Sequence, residues 1–250
     1  MKVRIDKLLV DRRLAASRER AQALILAGRV LVDEQKVDKA GASVDPEAQV
    51  RLLGEDLRYV SRGGLKLEHA LEHWQIQVQD LTCLDVGAST GGFTDCLLQH
   101  GAARVIAIDT GYGQMDLKVR NDPRVRLLEK TNARYLRAED VGEPVDLIAV
   151  DVSFISATLV IPAVMRAALE NDPRHQPRPK QMVVLVKPQF EAGRQHVGKG
   201  GIVRDREAQA AAVARVRQAM RDAGLTTEAE IESPILGVEG NREFLLYGKR

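Results

Sequence analysis

The sequence predicts an α/β protein, an open and mainly parallel sheet with helices on both faces, preceded by a small α+β domain. Three observations carry this expectation. From Thr82 onward, short apolar runs alternate with helical patterns, as in successive βαβ units. A glycine loop, "LDVGASTGGFTD", sits where the first of those runs passes into the first helical pattern. Ahead of Thr82 the style and the charge both differ. Residues 1–32 hold eight basic and three acidic residues, a net of +5, whereas residues 33–60 hold four and seven, a net of −3. A basic patch confined to one end suits a polyanion-facing surface as well as an ordinary solvated helix face.

The first segment opens with two helices. Ile5, Leu8 and Leu9 fall on one face of the first. Ser17 caps the second, "SRERAQALILAG", which has Glu19 in its first turn and Gly28 as a stop. "RVLVDEQKV" then reads as two short strands around a turn at Asp33-Glu34-Gln35, and "ASVDPEAQVRLL" as a turn and a further strand. "GEDLRY" reads as a connector, which puts the domains at 1–60 and 61–250. In the second domain "SRGGLKLEHAL" is a helix before the first strand, "TCLDVG". "GFTDCLLQHG" is the helix after it, closed by Gly101. "RVIAID", "RVRLLE", "VDLIAVDV" and "MVVLVK" supply four more strands, and "SATLVIPAVMRAALE" is the helix after "VDLIAVDV". "DREAQAAAVARVRQAMRDAG" is a long helix. "TEAEIES" and "EFLLYGK" close the chain as strands that make the sheet mixed, and "NDPRHQPRPK" is a Pro-rich loop.

Composition narrows the class. The chain has 250 residues, 44% hydrophobic and 29% charged, enough to bury a core. No apolar run approaches the ~20 residues of a membrane span. The charged start, "MKVRIDKLLVDRR", lacks the apolar centre of a signal peptide. Two cysteines, Cys83 and Cys96, make no disulfide framework and have no zinc spacing. A soluble, cytoplasmic protein is expected.

Two places carry chemistry. Gly87, Gly91 and Gly92 follow a G-x-x-x-G-G spacing, unlike either dinucleotide or phosphate loops, and let the backbone turn sharply beside a ligand. Asp109 ends the second strand, where a carboxylate can accept both hydroxyls of a ribose. The second place is "QMVVLVKPQFEAG", in which a buried strand runs out at Lys187. That lysine is either a solvated strand end or a working group in a cleft. Its edge of the sheet is the one on which Asp151 and the glycine loop open.

The glycine loop and Asp109 resemble the S-adenosylmethionine site of class I (Rossmann-like) methyltransferases. More narrowly, the loop followed by Phe93 is similar to that of FtsJ-type RNA 2'-O-methyltransferases, with Thr90 where that family often has proline. By this resemblance Gly87, Ala88, Ser89, Thr90, Gly91, Gly92 and Phe93 line the methionine and ribose, Asp85 belongs to the same cofactor site, and Asp109 holds the ribose. Asn132 lies near the adenine, where the family often has an acid, and Asp151 near the methyl. The family's Lys-Asp-Lys-Glu tetrad falls on Lys66, Asp151, Lys187 and Glu243. Lys187 would deprotonate or orient the 2'-hydroxyl, Lys66 would be the second cation, Asp151 would position Lys187, and Glu243 would orient the lysines. The first segment, through "RIDKLLV", "SRERAQALILAGRVLVDEQKV" and "VRL", resembles the RNA-binding domain named after ribosomal protein S-four. That likeness puts Arg4, Lys7, Arg18, Arg20 and Arg29 on the RNA side. Both segments together, with "YVSRGG", "DVSFIS", "KPQFEAG" and "GKGGIVRD", resemble the TlyA (hemolysin A) group. The resemblance implies 2'-O-methylation of cytidine in ribosomal RNA, with ribosomal subunits as partners.

Other readings weigh less. "HALEH", from His69 to His73, fits an H-x-x-E-H zinc pattern, but a charged helix surface explains it better, and no metal site is expected. Trp74 falls in phase with Leu67, Ala70 and Leu71 and reads as core. "GKGG" reads as an active-site loop contacting RNA or as a plain connector. Three rival functions are a membrane-active haemolysin, a non-catalytic RNA-binding or ribosome-assembly factor, and a methyltransferase acting on a base or protein. They meet, respectively, the lack of an amphipathic membrane-lying helix, the complete tetrad, and the lack of an N-P-P-[YF]-type motif.

Overall fold

The computed structural model describes residues 2–15, 17–53, 58–170, 180–237 and 239–250. Most of the expected connector (54–57) and of the Pro-rich loop (171–179) lies outside the described residues. The chain divides into two compact units, Met1–Asp56 and Leu57–Arg250.

In the first unit the helices Ile5–Asp11 and Arg18–Leu26 pack Ile5, Leu8, Leu9, Ala21, Leu24 and Ile25 into one core. The Ser17 hydroxyl accepts the Arg20 amide at 3.2 Å, satisfying one orphan donor of the second helix. Gly28, at φ +66°, ends that helix. Strands Val30–Val32 and Gln35–Val37 form a hairpin, and Val50–Leu52 pairs on the other side of Val30–Val32. The turn is shorter than expected. Asp33 and Glu34 both take positive φ, 49° and 62°, so two residues close it and Gln35 pairs with Val32 in the ladder. A two-residue bridge, Val3–Arg4 against Ser43–Val44, is too short to show in the sequence pattern.

The second unit is built on seven strands: β1 Thr82–Val86, β2 Arg104–Ile108, β3 Val125–Leu128, β4 Leu147–Val150, β5 Gln181–Val186, β6 Thr226–Glu232 and β7 Phe244–Lys249. Their spatial order is β6-β7-β5-β4-β1-β2-β3, and β7 alone runs against its neighbours. The main helices are α1 Gly63–His73, α2 Gly92–Gln99, α3 Ile161–Glu170 and α4 Arg206–Asp222. The central strands are buried on both faces, so they read as continuous apolar runs. Alternate residues still serve opposite sides. Ile148 and Val150 face the core formed with α3 and α4, while Leu147 and Ala149 face the core formed with α1 and α2.

Three local features differ from expectation. The helix after β4 starts late: a 3-10 turn at Ala157–Leu159 precedes α3, whose second residue is Pro162. Proline has no N–H to give and is tolerated only in a first turn, so α3 proper begins there. A one-turn helix, Pro188–Glu191, follows β5 directly. The third is the junction. Tyr59 already belongs to the second unit: its hydroxyl donates to Glu68 at 2.8 Å, and its ring fills the space over Gly64. A methyl group on Gly64 would stand 2.3 Å from that ring. Asp95 accepts the Val60 amide at 2.8 Å, which fastens the same segment to α2.

Trp74 is half-buried, stacked 5.4 Å from Tyr247 at the end of α1. His69 and His73 lie 6.2 Å apart between ring centres, with His73 edge-on to Trp74. Cys83 and Cys96 are free thiols buried in the core. Among the described residues no group of three His, Cys, Asp or Glu side chains is placed to share a metal.

Candidate functional site

The strand ends of β1, β2, β4 and β5 open on one edge of the sheet, and two adjoining cavities lie along it. The larger, about 600 Å³, is lined by Gly87, Ser89, Asp109, Asn132, Asp151 and Phe154 among others. The smaller, about 280 Å³, is lined by Lys66, Lys187, Ala88, Thr90, Gly92 and Phe93. Both share Gly87, Ser89, Asp151 and Ser153, so a ligand in the first touches the residues that floor the second. The larger volume suits a nucleoside with a short tail.

The glycines have internal reasons to be glycine. Gly87 has φ +92°, and a methyl group there would stand 2.3 Å from the Asp151 carbonyl oxygen. The loop after β1 therefore lies directly on the loop after β4. Gly92 would place a methyl 2.2 Å from the Ser61 hydroxyl and 3.0 Å from the Gly64 amide, so the start of α1 rests on the start of α2. These close approaches bring Lys66, the cavity floor and Asp151 into one small volume. Gly91, in the left-handed region at the start of α2, lines neither cavity.

Asp109 is fixed by two backbone amides. One of its oxygens accepts from Ser89 at 2.8 Å and the other from Gly111 at 2.6 Å. Each oxygen keeps a second lone pair, which matches a vicinal diol. Asn132 lines the larger cavity but spends its carbonyl on the Arg134 amide at 3.1 Å, which leaves its side-chain amide as a donor. Asp85 is fully buried beneath the glycine loop and lines neither cavity. One oxygen accepts the Thr94 hydroxyl at 2.5 Å, and the other has no hydrogen-bond partner. Burial, aided by the charges of Asp151 and Asp109, pushes its carboxyl up to about 7, against the pull of Thr94. The folded state therefore holds a proton that the unfolded chain releases near pH 3.8. Its contribution is fully present below that value and is lost as pH rises through about 7. Asp85→Asn is expected to flatten this part of the stability–pH curve in denaturation titrations between pH 4 and 8; an unchanged slope would contradict the assignment.

The four tetrad positions form two ion pairs. Lys66 on α1 donates to Glu243, just before β7, at 2.5 Å, and both groups are buried. Lys187, just after β5, stands 2.6 Å from Asp151, just after β4, and donates to the Ser153 hydroxyl at 2.8 Å. Lys66, Lys187 and Asp151 all line the smaller cavity; Glu243 lines neither and reaches it through Lys66.

Several residues of this edge escape sequence reasoning. Ser153 is one. Glu191 is another: buried at the end of the turn that follows Lys187, it accepts the Ser156 hydroxyl at 2.5 Å and the Ala157 amide at 2.7 Å. Burial raises its carboxyl above the ordinary range. Phe190 packs 5.4 Å from Phe154 between ring centres. The loops after β4 and β5 are thus joined at two points beside the Lys187–Asp151 pair. The matching signal is the pair of short motifs "DVSFIS" and "KPQFEAG", legible as motifs but not as partners. Glu191→Ala is expected to lower kcat about 10²-fold by letting Lys187 drift from Asp151, with cofactor affinity within about twofold. Glu191→Gln, which still accepts the Ala157 amide, should retain most activity. Equal kcat in all three proteins would contradict the role. Phe154 itself is 92% exposed at φ +64°, a bare ring held on the rim of the larger cavity.

In the first unit, Arg4, Lys7 and Arg18 are exposed, and Arg20 and Arg29 are half-buried. Asp6, fully buried, gathers two of them: Arg4 bonds it at 3.0 and 2.8 Å and Arg18 at 3.0 Å, with Gln22 also at 3.0 Å. The Arg4 guanidinium holds the Asp6 carboxyl well below the usual carboxylate range. Arg29 is turned elsewhere, donating to the Leu53 carbonyl at 2.8 Å.

Residues 59–250 match the family model described as FtsJ-like methyltransferase, and residues 3–50 match that of the S4 domain. The chain is 43% identical to the 16S/23S rRNA (cytidine-2'-O)-methyltransferase TlyA of Mycobacterium tuberculosis, over 98% of this chain and 89% of that protein. It is 39% identical to hemolysin A of Brachyspira hyodysenteriae, over 98% and 99%. A solved structure from Streptococcus thermophilus, assigned provisionally as a hemolysin, is 40% identical and superposes with a TM-score of 0.75 over 100% of this chain and 88% of that one.

Proposed function

Because the chain belongs to the FtsJ-like methyltransferase family, and within it to the TlyA/hemolysin A group with an S4 domain ahead of the catalytic unit, we propose that it methylates the ribose 2'-hydroxyl of cytidine in ribosomal RNA. It is a class I, S-adenosylmethionine-dependent enzyme. The observation that carries the 2'-hydroxyl reading is the pair of lysine–carboxylate contacts, Lys66–Glu243 and Lys187–Asp151, whose lysines line one cleft opening onto the larger cavity.

The larger cavity fits the cofactor. Asp109 has the free lone pairs for the ribose hydroxyls, Asn132 a donor for the adenine edge, and Gly87 and Ser89, shared with the smaller cavity, border the space for the methionine portion. The cofactor brings a methyl group already activated on a sulfonium. What remains for the protein is alignment and one proton. The Lys187 ammonium has three N–H groups; Ser153 engages one, Asp151 stands 2.6 Å away as its counter-charge, and an N–H remains available to the 2'-hydroxyl. As an ammonium Lys187 orients the hydroxyl oxygen toward the methyl; once it has given one proton to solvent, the free amine takes up the proton that the hydroxyl loses as its oxygen bonds the methyl. Asp151 holds Lys187 while flooring both cavities. Lys66, neutralised by Glu243 in the apolar interior, places a second cation beside the substrate's phosphate or hydroxyl. Phe154 offers a face on which the base of the target nucleotide stacks.

Arg4, Lys7, Arg18, Arg20 and Arg29 of the first unit grip the RNA backbone, with Asp6 setting the first and third of these in register. Such contacts give affinity rather than sequence choice. The substrate is a ribosomal subunit or its RNA, so the protein works in the cytoplasm. Among the described residues no helix is long and apolar enough to cross a membrane. Incubation of the purified protein with tritiated S-adenosylmethionine and unmodified ribosomal subunits tests the reading. Label is expected in ribosomal RNA; label confined to transfer RNA or protein would overturn it.

A further inference from the structure

The stretch between Lys187's turn and α4 is not used by the chemistry above. Gly193–Arg206 carries four basic residues, Arg194, Lys199, Arg204 and Arg206, and one acid, Asp205. It is not a slack connector. Val203 is buried with Ala192, Ala208 and Ala212 in a small core of its own. Asn241, 1% exposed, holds the loop from the opposite side: its carbonyl accepts the Val203 amide at 2.9 Å, and its amide donates to the Gly201 carbonyl at 2.8 Å. Gln209 donates to the Val203 carbonyl at 2.7 Å. Gly200 and Gly201, at φ +78° and +74°, make the turn that presents Lys199.

This latch also places the loop. It leaves the core two residues after Glu191, whose turn begins at Lys187, and it is held by Asn241, two residues before Glu243. The loop is therefore anchored beside both ion pairs of the site. Its cations are uncommitted. Arg104, Arg120, Arg124, Arg137, Arg217 and Arg242 each hold a carboxylate. Arg194, Lys199 and Arg204 are exposed, and no ion pair among the described residues involves them. Asp205, the one acid of the stretch, is occupied capping α4 through the Glu207 amide at 2.9 Å. Outside the stretch, Glu239 approaches Gly201.

We propose that Arg194, Lys199 and Arg204 form a phosphate-binding rail on the catalytic unit itself, which takes the RNA backbone flanking the target nucleotide. A buried asparagine, two glycines in left-handed conformation and a private core fix the backbone that carries Lys199 and Arg204, with Arg194 at its entry, as a preformed polyanion contact requires. The proposal rests on the reading of the chain as an RNA methyltransferase.

The test uses the full chain, ribosomal subunits and tritiated S-adenosylmethionine. The triple variant Arg194→Ala/Lys199→Ala/Arg204→Ala is expected to raise KM for the subunit about tenfold near 0.15 M salt, and to lower the slope of log affinity against log salt by about 2. Cofactor affinity and thermal stability should match the parent protein. A second variant, Arg194→Lys/Lys199→Arg/Arg204→Lys, keeps the charge and should keep both KM and slope. If the parent methylates the RNA and the triple variant shows the same KM and slope, the rail is overturned while the enzymatic reading stands. A parent protein that neither binds nor methylates ribosomal RNA would overturn both.

Discussion

Lys187→Ala should abolish most methyl transfer, lowering kcat by about 10²–10⁴-fold, while leaving the affinity for S-adenosylmethionine within about twofold. The asymmetry follows from the geometry. Lys187 lines the smaller cavity and not the larger, and its contacts, Asp151 and Ser153, remain in place to floor the cofactor cavity. Lys187→Arg should not restore the rate. A planar guanidinium cannot place one N–H among Asp151, Ser153 and a third acceptor as an ammonium does, and it does not give up a proton. Single-turnover kinetics with saturating cofactor would check this, and activity within tenfold of the parent would remove Lys187 from the chemical step.

Glu243→Ala should be the most destabilising single change at the site. It leaves the buried Lys66 ammonium with no counter-charge, a situation that costs about 3–5 kcal/mol. The ion pair itself need not favour folding. Lys66→Met/Glu243→Leu replaces two buried charges with apolar groups of similar length, and should recover most of the lost stability. It should recover none of the methyl transfer. Denaturant titration and activity measured on the same three proteins separate the two effects. Full activity in the double variant would mean that the Lys66–Glu243 pair serves the fold alone.

The strands and the glycine loop are legible in the sequence because each is a local signal. A doubly buried strand is a continuous apolar run, and a left-handed position beside another backbone calls for glycine. What glycine is there for is less legible. Gly87 reads as room for a ligand, yet its immediate neighbour is the carbonyl of Asp151, more than sixty residues away in the chain. The same limit hides the Glu191–Ser156 link and the Asn241 latch. Both are buried polar contacts between segments whose adjacency follows only from strand order, with β4 beside β5 and β7 beside β5. Asp6 shows the converse. Within a basic stretch it looks like a diluting acid, but it is fully buried and organises Arg4 and Arg18. Asp85, read as a cofactor contact by resemblance, lies under the loop instead, because the end of a central strand points its side chain into the protein.

The most direct measurement is the chemical position of the transferred methyl group. Ribosomal RNA labelled by the protein would be digested to nucleosides and separated by liquid chromatography with mass detection, with a parallel sample hydrolysed in alkali. 2'-O-methylcytidine is expected, with an alkali-resistant dinucleotide at the labelled position and neither product from Lys187→Ala. Label in a base-methylated nucleoside, or 2'-O-methylcytidine formed equally well by Lys187→Ala, would contradict this expectation.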